Sequence, residues 1–222
     1  MTTYTTSYYD IVSQLPAGTV VRFTDVSWDQ YEDLLQDAGE DGRFRISFDR
    51  RALEVRTLST EHGRFERFFE RFVTIVGLRL GVDIISAGSA TMRSRRKQKG
   101  IEPDACFYVQ NAALIGSRLN LDFDTDPPPD IAVEVDISHD SMKKLDIYAA
   151  LGIPEVWRFD GSRLCIFLLS GDQYVESAAS PALPILTSQV LTGALAQMRS
   201  QGQTAALKAF DEWLKATKGV AE

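Results

Sequence analysis

Residues 129–157 read PDIAVEVDISHDSMKKLDIYAALGIPEVW, and this stretch decides the fold. Its first part alternates. Side chains of a strand point to opposite faces in turn. Residues 130–137 therefore put Ile131, Val133, Val135 and Ile137 on one face and Asp130, Ala132, Glu134 and Asp136 on the other. One face is ready for a core. The other carries three carboxylates, which repel one another in a low dielectric unless they are solvated, paired with bases or bound to a cation. A helix over about 140–151 follows, stopped by Gly152 and Pro154. Then comes a hairpin, 155–159 and 162–169, across Asp160-Gly161. Strand, helix, strand in that order predicts an α/β fold with the first strand inside the sheet. The carboxylate face then reads as functional rather than as a solvated edge.

On the helix, Asp140, Lys144 and Tyr148 fall at i, i+4 and i+8, roughly one face, while Lys143 points elsewhere. A lysine on the first turns of a helix leaving a carboxylate strand can fold back towards a metal. There it positions an attacking water or stabilises charge on a phosphate. The plainer alternative is a surface pair of Lys144 with Asp140, worth only a few tenths of a kcal/mol.

Upstream, IEPDACFY (101–108) repeats the strand logic, with Asp104 following Pro103 on an otherwise apolar run. Alone, such an Asp is a strand-start residue that binds a backbone amide. Beside Glu134 on a neighbouring strand it makes a two-carboxylate site. Mg²⁺ or Mn²⁺ needs little more, because hard cations take oxygen ligands and keep several waters, so two carboxylates and a carbonyl suffice. His62 and His139 are the only histidines, and with the distant Cys106 and Cys165 they are too few for a usual structural zinc site.

Further out, residues 28–38 have the spacing of an amphipathic helix between Ser27 and Gly39. Residues 43–58 alternate apolar and charged residues around Asp49-Arg50, as a hairpin with one solvated face would. From Ser59 or Thr60 to Leu80, Phe65, Phe68, Phe69, Phe72, Val76 and Leu80 make a helical stripe that reads as core. Strands are expected at about 82–88, 90–96 and 102–109, the last after a turn at Lys99-Gly100. Pro127-Pro128-Pro129 keeps 110–129 out of the sheet, and helices close the chain at about 187–200 and 204–217.

The 222 residues are 44 % hydrophobic and 25 % charged, which excludes collagen-like, coiled-coil and wholly disordered readings. Two cysteines are too few for a disulfide framework and imply free thiols in a reducing compartment. No run approaches the ~18 apolar residues of a membrane span, and MTTYTTSYYD lacks the basic-then-apolar order of a secretory signal. The expected location is cytoplasmic, with no membrane partner. A net charge of −7 speaks against bulk coating of nucleic acid. The charge is uneven, however: seven acids and no base lie between Asp25 and Asp41, and five bases and no acid between Arg93 and Lys99. The plain reading of each run is a solvated face. The basic run (Arg93, Arg95, Arg96, Lys97, Lys99) stands just ahead of Asp104 and is the candidate contact for a DNA backbone.

A helix with His and Glu near its start, a strand, a Pro-Asp strand, a Glu strand and a helix with Lys: this order resembles the PD-(D/E)XK nuclease superfamily. More narrowly it resembles a bacterial putative restriction endonuclease family, formerly catalogued as a domain of unknown function. That family's helix beginning with His matches His62 in STEHGRFERFF. Its Gly-x-x-x-Pro-Asp strand appears approximately as Gly100-Ile101-Glu102-Pro103-Asp104, and its Pro-Asp-apolar-apolar-Glu-Val-x-Ser signature is roughly kept as PDIAVEVDIS. Its Lys-x-x-x-Tyr helix and following Gly-Val-Pro-Glu-Tyr-Trp become KLDIYAALGIPEVW, from Lys144 to Trp157.

The resemblance implies a restriction-endonuclease-like mixed central sheet flanked by helices, and Mg²⁺- or Mn²⁺-dependent hydrolysis of DNA. Asp104 and Glu134 would be the metal-binding acids and Lys144 the catalytic lysine. Glu66 or Glu70 would supply a further carboxylate, and His62, Asp136 and Tyr148 are additional candidates. One departure is that the superfamily's lysine position, two after Glu134, is Asp136, so Lys144 must substitute from the helix. Another is that the family usually has an apolar residue there, which leaves a third ligand or a pair with Lys143 open for Asp136. The implied organisation is an N-terminal extension (1–24), a nuclease-like domain (25–195) and a C-terminal helical extension (196–222), with exposed hairpins compatible with a homodimer. The rival is a non-catalytic nucleic-acid or protein-interaction module on the same scaffold.

Overall fold

In a computed structural model describing residues 7–39, 41–137 and 142–218, the chain begins α1 (Tyr8–Val12), β1 (Val20–Phe23), α2 (Trp28–Ala38), β2 (Phe44–Asp49), β3 (Ala52–Thr57) and α3 (Thr60–Leu80). It continues β4 (Ile85–Gly88), β5 (Met92–Ser94), β6 (Lys99–Ile101), β7 (Ala105–Tyr108), α4 (Ala112–Ile115) and β8 (Ile131–Val135). A 3₁₀ turn (Met142–Lys144) leads into α5 (Leu145–Leu151), then β9 (Glu155–Phe159), β10 (Leu164–Ser170), β11 (Gln173–Ser177), α6 (Ser188–Gln201) and α7 (Gln203–Lys218). The class is mixed α/β, as the sequence predicts.

Two sheets form. The larger has the order β11-β10-β9-β8-β7-β4 and is mixed, because β8 and β9 run parallel while the other pairs are antiparallel. β8 lies inside it, as its flanking helix and strands imply. The smaller sheet, β1-β3-β2-β6-β5, is antiparallel throughout. The Phe65, Phe68, Phe69 and Phe72 stripe of α3 packs on the Val133, Val135 and Trp157 face of the large sheet, and α6 and α7 close the same core. The rings of Phe72 and Phe210 stack at 3.7 Å, so α7 sits directly on α3. A second core lies under α2, where Trp28, Tyr31 and Leu34 meet Phe48 and Leu53.

Local signals place the ends. Ser27 and Ser59 each accept a hydrogen bond from the amide three residues on, capping α2 and α3. Gly81 ends α3 in the left-handed conformation. Three local expectations are corrected. Lys99-Gly100 is strand β6 rather than a turn, and the chain reverses over 95–98, where Gln98 takes a φ of 51°. β11 extends the 155–169 hairpin by a further strand, and α4 interrupts the connection 110–129. The helix after β8 begins as the 3₁₀ turn, and Asp140 lies outside the described residues.

Gly100 is in a strand because nothing larger fits. A Cβ there would lie 2.1 Å from the Tyr31 hydroxyl and 2.6 Å from its ring. Gly100→Ala is expected to push Tyr31 out of its stack on Phe48 and cost about 1–3 kcal/mol. Thermal unfolding checks this; an unchanged melting temperature would mean that Tyr31 gives way freely.

Candidate active site

Pro103 has no N–H to continue a ladder, and beside it the Asp104 side chain takes part in the pairing with β8 as an acceptor. The Asp104 amide donates to the Val133 carbonyl at 2.9 Å, and the Val135 amide donates to Asp104 Oδ2 at 2.7 Å. Because β7 and β8 are antiparallel, with Ala105 opposite Val133, this brings Asp104 to the end of β8 that carries Glu134 and Asp136. Asp104 and Glu134 are 0 % and 1 % exposed.

Glu134 is held by two donors from one helix face. Lys144 Nζ lies 3.1 Å from Oε2 and the Tyr148 hydroxyl 2.5 Å from Oε1. The i, i+4 spacing of Lys144 and Tyr148 thus serves the two oxygens of one carboxylate. Burial and the neighbouring Glu134 push the Tyr148 hydroxyl well above its ordinary range, so it remains a donor. Asp136 bonds to Arg158 Nε at 2.6 Å. Asp130 sits apart at the other end of β8, accepting from the amides of Val109 and Asn111 at 2.7 and 3.0 Å, a structural role.

From α3, His62 and Glu66 reach the same cluster. His62 Nε2 is 2.7 Å from Asp104 Oδ1, and Glu66 Oε2 is 2.9 Å from Arg45 Nη2. One ligand atom each from His62, Glu66 and Asp104 lie within 4.8 Å of one another. Glu70 does not join them and instead accepts from the Ser86 hydroxyl at 2.9 Å. Successive steps of four residues rotate a side chain about 40° around a helix, so Glu70 has turned roughly 80° from His62. Trp157 and Tyr148 are fully buried, as core rather than stacking platforms. Glu155 accepts from the Trp157 indole, which gives the Pro-Glu-x-Trp stretch a structural purpose.

The principal correction concerns the 43–58 hairpin, expected to keep one solvated face. Arg45 and Arg56 on that face are each 5 % exposed. The smaller sheet turns this face onto the carboxylates. Arg56 Nη2 lies 3.2 and 3.3 Å from the two oxygens of Asp104 and 3.6 Å from Glu134 Oε2. Its Nη1 donates to the Val135 carbonyl at 3.2 Å. Arg45 Nε is 3.5 Å from Asp104 Oδ1. Among the described residues, Glu66, Asp104, Glu134 and Asp136 are therefore met by Arg45, Arg56, Lys144 and Arg158, so the carboxylates do not face one another unpaired. Burial alone would raise the Asp104 carboxyl, but Arg56, His62 and Lys144 outweigh it and hold it well below the usual range. For Glu134, burial prevails over Lys144 and its carboxyl is raised.

Hard oxygens from Asp104, Glu134 and the Val135 carbonyl, with His62 and Glu66 beside them, are a donor set that suits Mg²⁺ or Mn²⁺. Lys144 also lines a groove of about 250 Å³ shared with Phe23, Ser47, Leu53 and Ile147. The basic run lies elsewhere. Arg95 pairs with Asp29, Arg93 is 3.9 Å from Glu32, and Lys99 is buried against Asp49 at 2.6 Å. Lys97 donates to the Ala150 carbonyl at 2.7 Å, about 9 Å along α5 from Lys144. The acidic and basic runs thus partly neutralise each other across α2 and the β5–β6 turn.

None of the described helices is long and apolar enough to cross a membrane, and both cysteines are buried free thiols. No curated protein matches the chain. Among solved structures, a putative nuclease of the DUF820 family from Anabaena variabilis is similar, at 12 % identity and a TM-score of 0.42, over 64 % of this chain and 87 % of that one. The sequence profile of Uma2, described as putative restriction endonuclease, matches residues 28–199. With most of its length and the whole carboxylate cluster inside that match, the chain belongs to the Uma2 putative restriction endonuclease family.

Proposed function

We propose that this protein hydrolyses phosphodiester bonds in DNA with a divalent cation, Mg²⁺ or Mn²⁺, held by Asp104 and Glu134 and assisted by Lys144. The observation that carries the reading is the convergence of these three residues. They come from the loop before β7, from β8 and from the turn into α5, and Lys144 links Glu134 to an open groove. When bound, the cation supplies a hydroxide at neutral pH and neutralises the phosphate. Tyr148 fixes Glu134 by its second oxygen, and the Val135 amide fixes Asp104, so neither carboxylate is free to swing. Lys144, at the groove, offers positive charge where a phosphodiester would approach. The test is cleavage of supercoiled, linear and single-stranded DNA and of a simple diaryl phosphodiester, with Mg²⁺ or Mn²⁺ and with chelator. Turnover of the simple diester alone would assign the site to another phosphate ester.

One observation favours the rival, a binding module on the nuclease scaffold: four cations, three of them buried, already match the four carboxylates. DNA binding without cleavage under every metal condition would decide for it.

Arg93, Arg95, Arg96 and Lys97, the exposed members of the basic run, are proposed to touch the DNA backbone; Lys99, buried against Asp49, is not. Replacing Arg95, Arg96 and Lys97 together by Ala should weaken DNA binding and flatten its salt dependence, since fewer phosphate contacts release fewer counterions. Loss of the Arg95–Asp29 pair, both largely exposed, should cost little stability. Equal salt slopes for variant and parent would remove the run from the interface.

A further inference from the structure

Asp104, Glu134 and the Val135 carbonyl converge on one cation, and that cation is the guanidinium of Arg56. Its two terminal nitrogens lie 3.2 Å from Asp104, 3.6 Å from Glu134 and 3.2 Å from the Val135 carbonyl. A surface arginine pairing with whatever is near would not be held this way. Arg56 is buried, comes from a different sheet, and addresses two carboxylates and a backbone carbonyl at once. An octahedral Mg²⁺ would draw such oxygens to about 2.1 Å. The same oxygens cannot close on a metal at that spacing while a guanidinium stands between them.

We propose that Arg56 is the resident cation of the carboxylate site, and that a divalent ion reaches Asp104, Glu134 and the Val135 carbonyl only by displacing it. This rests on the metal-dependent reading above and adds a control to it. Metal affinity is lowered by the fraction of molecules in which the guanidinium occupies the site. The site stays charge-balanced and folded without metal. Because Arg56 belongs to β3, whatever moves the β2–β3 hairpin, a DNA backbone included, changes the affinity for the ion.

The full chain, Arg56→Met, Arg56→Lys and Glu134→Gln are compared by calorimetric titration with Mn²⁺ and by melting without metal. Arg56→Met should melt lower without metal by about 10 °C, since it removes the buried cation that Asp104 and Glu134 share and leaves them to Arg45, His62 and Lys144. It should nevertheless bind Mn²⁺ on the order of tenfold more tightly than the parent, a gain that a merely structural arginine would not give. Arg56→Lys keeps the charge but not the fork, so its affinity should lie between the two. If Arg56→Met does not fold, Arg56→Lys decides alone, by tighter binding for the proposal or by equal or weaker binding against it. Unchanged or weaker binding by the Arg56 variants, with binding still lost in Glu134→Gln, overturns displacement and leaves the metal site standing. No Mn²⁺ binding by the parent or either Arg56 variant overturns both.

Discussion

Lys144→Ala is expected to lower the rate of DNA cleavage by ~10²–10³, by analogy with loss of a single charge-stabilising donor in an active site. Metal binding should survive, because the carboxylates hold the ion and Lys144 acts on the water or the phosphate. Glu134 keeps the Tyr148 hydroxyl and the Arg56 guanidinium when Lys144 is gone, so the carboxylate remains satisfied. Lys143→Ala is the control. Lys143 is exposed and, in the 3₁₀ turn, sits about 120° around the axis from Lys144, so its loss should leave most activity. Initial rates for the two variants, beside Mn²⁺ titrations, check this. A dead Lys143→Ala with an active Lys144→Ala would invert the assignment, and two active variants would require another group to activate the water.

The largest loss of stability is expected from Asp104→Ala. This carboxylate accepts from the Val135 amide and faces Arg56, Arg45 and His62 while wholly buried. Removing it leaves the buried Val135 N–H without its acceptor and takes the central carboxylate from Arg56 and Arg45, which retain Glu134 and Glu66, a loss of about 3–5 kcal/mol. For a chain of this length that corresponds to roughly 6–20 °C in melting temperature. Scanning calorimetry without metal measures it, and a shift within about 2 °C would mean that the network relaxes at little cost. The pairing also sets the direction with pH. The Asp104 carboxyl is held below its ordinary value, so its contribution is present at neutral pH and is lost as pH falls through the acid range.

Much of this site is legible along the chain because the decisive contacts are local. Period two puts Glu134 and Asp136 on one side of β8, and the i, i+4 step places Lys144 and Tyr148 on one helix face. The Pro-Asp pair marks the end of β7, since proline breaks the ladder there. What escapes a strand-by-strand reading is which faces a second sheet covers. Alternation in RFRISFDRRALEVRTL identifies the polar side of the hairpin but not its burial. A signal was present nonetheless. Arg45 and Arg56 stand directly opposite each other in the hairpin register. Two adjacent cations are as costly as adjacent carboxylates unless something of opposite charge meets them. The unbalanced acids of β8 and the unbalanced bases of β2 and β3 answer each other, and matching them would have found the contact. The register of α3 was the other open matter, settled by the packing of its phenylalanines, which points Glu66 at the cluster and Glu70 away.

The central claim is that Glu134 holds a divalent ion that the chemistry needs. Nicking of supercoiled plasmid by the parent and by Glu134→Gln, each with Mn²⁺ and with excess chelator, tests it most directly. The account predicts nicking by the parent that depends on Mn²⁺ and stops with chelator, and a Glu134→Gln rate lower by at least about 10². Nicking that persists in chelator, or that Glu134→Gln performs as fast as the parent, would contradict it.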